Sequence, residues 1–236
     1  MARPVVLLLP GLLCDEASWT AQIEALSFAQ CVVPSYGTLA SIPEMASHVL
    51  ARAPAERFSL AGHSMGGRVA LEVMRQAPER IERFALLDSG VDPIASSDAG
   101  AHERAQRTAL LKLARERGMR TMGQEWARGM VHPSRVDSPL FDRILDMIER
   151  NTPEAFEAQI EALLARPDAR GILKSITCPT LLLCGRQDAW SPLSRHEQMH
   201  AMLPRSRLVV IEEAGHFAMM EQPEAVSRAL LDWMQE

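Results

Sequence analysis

Short apolar runs alternate with segments of helical periodicity along most of the chain. The candidate strands are residues 5–9, 31–34, 58–61, 84–87, 180–184 and 208–211. Each run is apolar with almost no polar interruption, which is typical of parallel strands that helices cover on both faces. The pattern therefore predicts an α/β fold, in which a mostly parallel sheet is flanked by helices.

The alternation stops between residues 91 and 171, where no convincing strand occurs. Helical periodicity extends instead over residues 104–117, 119–130, 139–150 and 152–165. The strand pattern resumes at Cys178-Pro179-Thr180, and no low-complexity linker separates the two regions. We therefore expect one core built from residues 1–90 and 172–236, with residues 91–171 inserted as a helical cap. A chain of 236 residues is long enough to bury such a core.

A Gly-His-Ser-Met-Gly-Gly motif at residues 62–67 lies directly between a predicted strand and a predicted helix. This is the context in which a G-x-S-x-G match indicates a nucleophilic serine held on a sharp turn. The glycines remove side chains that would collide as the backbone reverses, so Ser64 can project above the sheet edge. The Met65 N–H, at the start of the following helix, is then expected to face a developing oxyanion.

A serine hydroxyl needs a neighbouring base, and the base needs an acid that orients it. His216 and Asp188 each follow a predicted strand through a short turn, so both should reach the carboxyl edge of the sheet. Their order, Ser64 then Asp188 then His216, is the order expected for this arrangement. Asp88 also ends a predicted strand and remains an alternative acid. The Leu12 N–H, after Pro10-Gly11, is the expected second oxyanion donor.

Further motifs carry a resemblance to a known family. They are Cys-Pro-Thr at 178–180, Gly-Arg-Gln-Asp at 185–188, and Gly-His at 215–216 followed by Glu-Gln-Pro. Together with the serine motif, they resemble α/β-hydrolase fold enzymes of the small-cap carboxylesterase type, similar to 3-oxoadipate enol-lactonases. The resemblance implies a triad of Ser64, Asp188 and His216 with an oxyanion hole at the Leu12 and Met65 amides. Pro10 stands where the family commonly has histidine, and Phe217 where related C–C-bond hydrolases often carry tryptophan.

These features predict a serine hydrolase that cleaves esters or lactones with small to medium acyl groups. Trp126, Met130, Trp190 and Phe217 are candidate substrate-binding residues, in a pocket expected to be apolar and adaptable. Other methionines were candidates for the same lining: Met119, Met122, Met219 and Met220. Arginines on predicted helices, Arg68, Arg75 and Arg80, are expected on solvated faces. A thioesterase or acyltransferase, a cofactor-free perhydrolase or lyase, and a slow-turnover ligand sensor remain alternatives.

Composition and charge exclude several other classes. A net charge of −5 disfavours nucleic-acid binding, and no apolar stretch is long enough for a membrane span. The scattered cysteines predict free thiols in a reducing compartment, and hence a cytoplasmic protein. Separately, we expect a monomer or a homodimer that acts on a small molecule. The H-E-x-x-H pattern at residues 196–200 matches a zinc-protease motif. We interpret it as a solvated helix face and expect neither a metal nor a cofactor.

Overall fold

A six-stranded sheet forms the centre of the molecule in the computed structural model, which describes residues 3–203 and 205–236. The strands are β1 (Val5–Leu9), β2 (Gln30–Val32), β3 (Phe58–His63), β4 (Ile81–Leu87), β5 (Thr180–Gly185) and β6 (Ser206–Ile211). Their order across the sheet is β2-β1-β3-β4-β5-β6, and every pairing is parallel. The carboxyl ends of all six strands therefore meet at one edge.

Helices connect these strands. They are α1 (Thr20–Ala25), α2 (Ile42–Arg52), α3 (Met65–Gln76), α4 (Asp98–Arg117), α5 (Met119–Ala127), α6 (Pro139–Glu149), α7 (Pro153–Leu164), α8 (Arg170–Leu173), α9 (Leu193–Met202), α10 (Ala218–Glu221) and α11 (Pro223–Trp233). Several begin with a side-chain cap: Ser41 accepts a hydrogen bond from the Glu44 N–H, and Ser138 accepts one from the Phe141 N–H. Such caps satisfy donors that have no partner within the helix.

Alternate residues of the strands enter two hydrophobic cores, one on each face of the sheet. In β1, Val5, Leu7 and Leu9 belong to one core, while Val6 and Leu8 belong to the other. Because both faces are covered, these strands lack the polar alternation of a half-exposed sheet. The α/β prediction from the apolar runs is thus confirmed.

The helices expected between residues 91 and 171 are present as α4 to α7. They lie in the chain between β4 and β5, which pair with each other in the sheet. Helix α4 begins at Asp98, six residues before the expected start at 104. The sequence did not reveal this first part of the helix because residues 98–103 carry little apolar periodicity. Strands β4 and β6 also begin earlier than predicted, at Ile81 and Ser206. Polar residues interrupt the start of each apolar run, so the pattern alone placed both starts too late.

All four cysteines are free thiols, as the scattered positions predicted. Within residues 3–203 and 205–236, no helix is both long and apolar enough to cross a membrane.

Candidate active site

Ser64 sits on a strained turn between β3 and α3. Its backbone adopts φ 52° and ψ −115°, a left-handed conformation that L-residues rarely occupy. A Cβ atom at Gly62 would collide with the Gly66 carbonyl, and one at Gly66 would collide with the Leu9 carbonyl. The two glycines thus permit the close approach that the turn requires. The Ser64 carbonyl is held by a hydrogen bond of 2.8 Å from the Ser89 hydroxyl.

A continuous line of hydrogen bonds runs from Ser64 through His216 to Asp188. The Ser64 Oγ lies 2.8 Å from Nε2 of His216, and Nδ1 of His216 lies 2.8 Å from Oδ2 of Asp188. His216 and Asp188 are almost completely buried. The structure therefore brings together the three residues that were predicted from sequence, in the geometry of nucleophile, base and orienting acid.

The surroundings of Asp188 favour its charged form. Burial alone raises the pKa of this carboxyl group, but the charge and hydrogen bond of His216 oppose it. The Ser191 and Trp190 N–H groups also donate to Oδ1, at 2.9 and 2.8 Å. Together these contacts bring the pKa of Asp188 down to about 2. Asp188 can therefore stabilise a cationic His216 during proton transfer.

Asp88, the alternative acid, contacts a different group. Its Oδ1 accepts a hydrogen bond of 2.8 Å from the Gly185 N–H, and its buried Oδ2 has no partner among the described residues. Burial, followed by the charges of Asp188 and Glu221, raises the pKa of Asp88 well above its usual value. Asp88 thus ties the end of β4 to β5, whereas the carboxyl group hydrogen-bonded to the His216 imidazole is that of Asp188.

Two backbone N–H groups beside Ser64 are available as oxyanion donors. Leu12 and Met65 are buried residues, and neither backbone N–H donates to an acceptor in the described part of the chain. Both residues line the same cavity as Ser64, so these two donors can serve a ligand oxygen. The neighbouring Leu13 N–H donates instead to Oε1 of Gln159 at 2.9 Å, which fixes this loop against α7.

His63 holds the backbone of His216 through a contact that sequence reasoning missed. Its Nε2 lies 2.7 Å from the His216 carbonyl oxygen, and the two rings are 5.2 Å apart. Burial, then the nearby His216, lowers the pKa of His63 to about 3. A neutral His63 must carry its proton on Nε2 to donate to that carbonyl. No local signal in the sequence identifies this hydrogen bond, because its two partners lie far apart in the chain.

The loop that carries His216 is fixed on its other side by Glu221. The two carboxylate oxygens of Glu221 accept hydrogen bonds from the Gly215 N–H, at 2.9 Å, and the His132 N–H, at 2.6 Å. The His216 N–H donates to the Met130 carbonyl at 2.6 Å. Residues 130–132, which follow α5, therefore help to position His216.

The zinc-protease pattern on α9 has structural partners. His196 is buried, so the interpretation of a solvated face was wrong for this residue. Its Nε2 accepts from the Ser89 N–H at 3.3 Å, and its Nδ1 lies 3.3 Å from the Pro192 carbonyl. His200 instead contacts the Ser206 hydroxyl at 2.8 Å. No group of three or more metal-ligating side chains occurs within the described ranges.

A cavity of about 420 Å³ opens next to Ser64. Trp126, Met130 and Trp190 line it, as predicted, with the two indole rings edge to face at 6.4 Å. Phe217 faces a small adjoining recess instead, together with His63. The other candidate methionines are absent from the lining: Met119 and Met122 belong to one hydrophobic core, Met219 belongs to the other, and Met220 packs against both.

The expectation of an apolar pocket is wrong. Four arginines line the cavity: Arg68, Arg107, Arg166 and Arg195. Arg68 follows Ser64 by one turn of α3, and it was expected to lie on a solvated face. It instead points into the space between α3 and the helices that precede β5, which the isolated helix pattern could not reveal.

Comparison with known proteins agrees with this architecture. The model of the alpha/beta hydrolase family matches residues 6–229. A pimeloyl-[acyl-carrier protein] methyl ester esterase of Nitrosomonas europaea is 28% identical over 94% of this chain and 92% of that protein. A Neisseria meningitidis esterase of the same name is 31% identical over 78% of this chain and 70% of that protein.

Solved structures are similar along almost the whole chain. A thermophilic esterase from Thermogutta terrifontis superposes with a TM-score of 0.87 at 28% identity, covering 98% of this chain and 89% of that one. The enol-lactonase from Burkholderia xenovorans has the same fold, with a TM-score of 0.85 at 21% identity, covering 100% of this chain and 93% of that one. The chain therefore belongs to the alpha/beta hydrolase family.

Proposed function

We propose that this protein is a serine hydrolase of carboxylic esters that acts through a covalent acyl-enzyme. The observation that carries the proposal is the hydrogen-bonded line from Ser64 Oγ through His216 to Asp188, with 2.8 Å at each step. The relatives support an ester as the substrate class, since those from Nitrosomonas europaea and Thermogutta terrifontis are named esterases.

Acylation begins when the Ser64 hydroxyl attacks the ester carbonyl carbon and gives its proton to Nε2 of His216. The carbonyl oxygen becomes an oxyanion, which accepts hydrogen bonds from the Leu12 and Met65 N–H groups. Each such donor is worth roughly 3 kcal/mol of transition-state stabilisation. Asp188 stabilises the imidazolium. His216 then returns the proton to the leaving alkoxide, and the alcohol departs from an acyl group bonded to Ser64.

Deacylation repeats these steps with water as the nucleophile. His216 removes a proton from water as the water attacks the acyl carbonyl, and the same two amides hold the second oxyanion. Collapse of this intermediate breaks the bond to Ser64 Oγ, which recovers the proton from His216. The carboxylic acid leaves and the enzyme is restored.

The test combines active-site labelling with turnover on a panel of ester, lactone and thioester substrates. We expect a fluorophosphonate to label the protein and Ser64→Ala to abolish both labelling and ester turnover. Ser175→Ala is the matched control, because Ser175 is exposed and lies outside the cavity lining. Full activity of Ser64→Ala would contradict the proposal. Labelling of the wild type without turnover on any ester would also contradict it, in favour of a sensor.

A further inference from the structure

The four arginines that line the cavity differ in whether their guanidinium groups are hydrogen-bonded to a carboxylate. Glu103 on α4 pairs with Arg166 through both carboxylate oxygens, at 2.7 and 2.8 Å, and with Arg107 at 2.9 Å. Burial raises the pKa of Glu103, but these two arginines lower it to about 2, so it is charged. Arg107 and Arg166 therefore share one carboxylate in a hydrogen-bonded frame at the edge of the cavity, and this frame keeps one net positive charge.

Arg68 has no carboxylate partner in the described part of the chain. Its recorded hydrogen bond is the one from Nη1 to the Asp92 carbonyl oxygen, at 2.7 Å. A guanidinium has five N–H donors, so most of those on Arg68 remain available. Burial, followed by the charges of Arg166 and Arg195, lowers the pKa of Arg68 to about 9. The side chain is still cationic at neutral pH, in a setting where a bound anion would be favourable.

Arg195, on α9, is similarly under-compensated. Its Nη1 lies 3.4 Å from the Trp190 carbonyl, and its nearest carboxylate, on Asp92, is 4.0 Å away. A Cβ atom at Gly90 would collide with the Arg195 side chain, so the absence of a side chain there lets this arginine reach the cavity. Arg68 and Arg195 thus approach the same space from two elements.

The cavity lining holds four arginines but only two acidic residues, Glu103 and Asp88. Glu103 is engaged by Arg107 and Arg166, and Asp88 accepts from the Gly185 N–H, so in the described part of the chain neither carboxyl group hydrogen-bonds to Arg68 or Arg195. This positive region occurs in a chain whose net charge is −5, so general surface charge does not explain it. A cavity of about 420 Å³ is also large enough for a small ligand.

We propose that Arg68 and Arg195 form a carboxylate-binding subsite and that the natural substrate is an ester that also carries a carboxylate. Guanidinium groups match carboxylates through paired, charge-assisted hydrogen bonds. Because Ser64 and both arginines line one cavity, a single short molecule can contact all three. This inference rests on the proposed esterase function and specifies its substrate class.

Matched substrates test the proposal. Monomethyl succinate, glutarate and adipate carry the anion on the acyl side, and 3-acetoxypropanoate carries it on the alcohol side. The neutral counterpart of each compound is the ester in which its free carboxylate is also methylated. Proton release in a pH-stat measures turnover. We expect at least one anionic ester to exceed its neutral counterpart about 10-fold or more in kcat/KM. Which series benefits tells on which side of the scissile bond the arginines lie. No anionic preference in either series would overturn the proposal.

Variants assign that preference to the two arginines. We expect Arg68→Met and Arg195→Met each to lower kcat/KM for the preferred anionic ester about 10- to 100-fold, chiefly through KM, while changing the neutral ester less than about 3-fold. Arg68→Lys should fall between wild type and Arg68→Met. Arg104→Met is the matched control, because Arg104 is an exposed arginine on α4 outside the cavity lining. Equal losses on both substrates would overturn the assignment.

Binding provides a readout that is independent of turnover. In the Ser64→Ala background, calorimetric titration with monomethyl adipate and glutarate should detect binding that weakens with ionic strength and is lost in Ser64→Ala/Arg68→Met. If the wild type hydrolyses no ester but this binding is present, the esterase proposal fails and the subsite stands. If neutral esters are hydrolysed but no anion binds, the subsite fails and the esterase stands.

Discussion

His63 donates a hydrogen bond of 2.7 Å from its Nε2 to the carbonyl oxygen of His216, although 153 residues separate them. The residue next to Ser64 therefore fixes the backbone of His216, the proposed base. His63 also packs against the loop that follows β1, where a Cβ atom at Gly11 would lie 2.7 Å from its Nδ1. The serine motif and the histidine loop are thus one positioned unit.

This contact predicts that His63→Ala lowers kcat. Without the hydrogen bond the His216 ring shifts, and small misplacements of a catalytic group cost up to about 100-fold in rate. We expect a loss of about 10- to 100-fold in kcat with little change in KM. His63→Gln, which keeps an N–H donor, should recover part of the activity. Circular dichroism verifies that both variants fold. If both then have the kcat of the wild type, His63 has a packing role and its hydrogen bond does not position His216.

The two aspartates near the base should differ strongly. Asp188→Asn removes the charge that stabilises a cationic His216 and should lower kcat by about 10³- to 10⁴-fold. Asp88→Asn keeps an acceptor for the Gly185 N–H, and it replaces a carboxyl that does not contact His216 and whose pKa is raised by burial. It should therefore change kcat less than about 10-fold. Steady-state kinetics of the two variants decide the matter, and equal losses would assign the orienting role to both.

Much of this arrangement could be predicted because it depends on local pattern. Continuous apolar runs identify covered parallel strands, and parallel strands bring their carboxyl ends to one edge. Ser64, Asp188 and His216 each follow such a strand through a short turn, so their proximity follows from the topology. The glycines at 62 and 66 give a steric reason for the turn at Ser64. Because both lie within a few residues of the serine, a short stretch of sequence is enough to predict the turn.

The pocket could not be predicted in the same way. Arg68, Arg166 and Arg195 come from α3, the end of α7 and α9, and only their packing reveals that they share one space. On an isolated helix each arginine is indistinguishable from a solvated residue. The burial of His196 was not predicted for the same reason. Its hydrogen-bond partner Ser89 follows β4, more than 100 residues earlier in the chain.

The backbone of Ser64 predicts a stability difference between two inactive variants. Its φ of 52° with ψ −115° lies where only glycine is unstrained, and such strain costs roughly 1–3 kcal/mol. Glycine loses more entropy on folding, which offsets roughly 0.5–1 kcal/mol of the gain. We therefore expect Ser64→Gly to exceed Ser64→Ala by about 1 kcal/mol in free energy of unfolding. Urea denaturation measures this, and an alanine variant of equal or greater stability would contradict it.

Two buried histidines predict a loss of stability in acid. Burial lowers the pKa of His63 to about 3 and that of His196 to about 4, from 6.5 in the unfolded chain. Between pH 4 and 6.5 the unfolded chain therefore binds more protons than the folded one. The free energy of unfolding should fall as pH falls through that window, by about 1 kcal/mol per pH unit for each histidine. Above pH 7 both histidines are neutral in the folded and the unfolded chain, so neither lowers the free energy of unfolding any longer.

A variant without one of these histidines isolates the effect. His196→Gln removes a titrating ring but keeps a group that can accept from the Ser89 N–H, so its stability should decline less than that of the wild type between pH 7 and pH 5. His102→Gln is the matched control, since His102 is exposed on α4. Urea denaturation at both pH values gives the comparison. If wild type and His196→Gln lose the same free energy of unfolding, His196 does not resist protonation in the folded state, and the acid sensitivity must come from other groups.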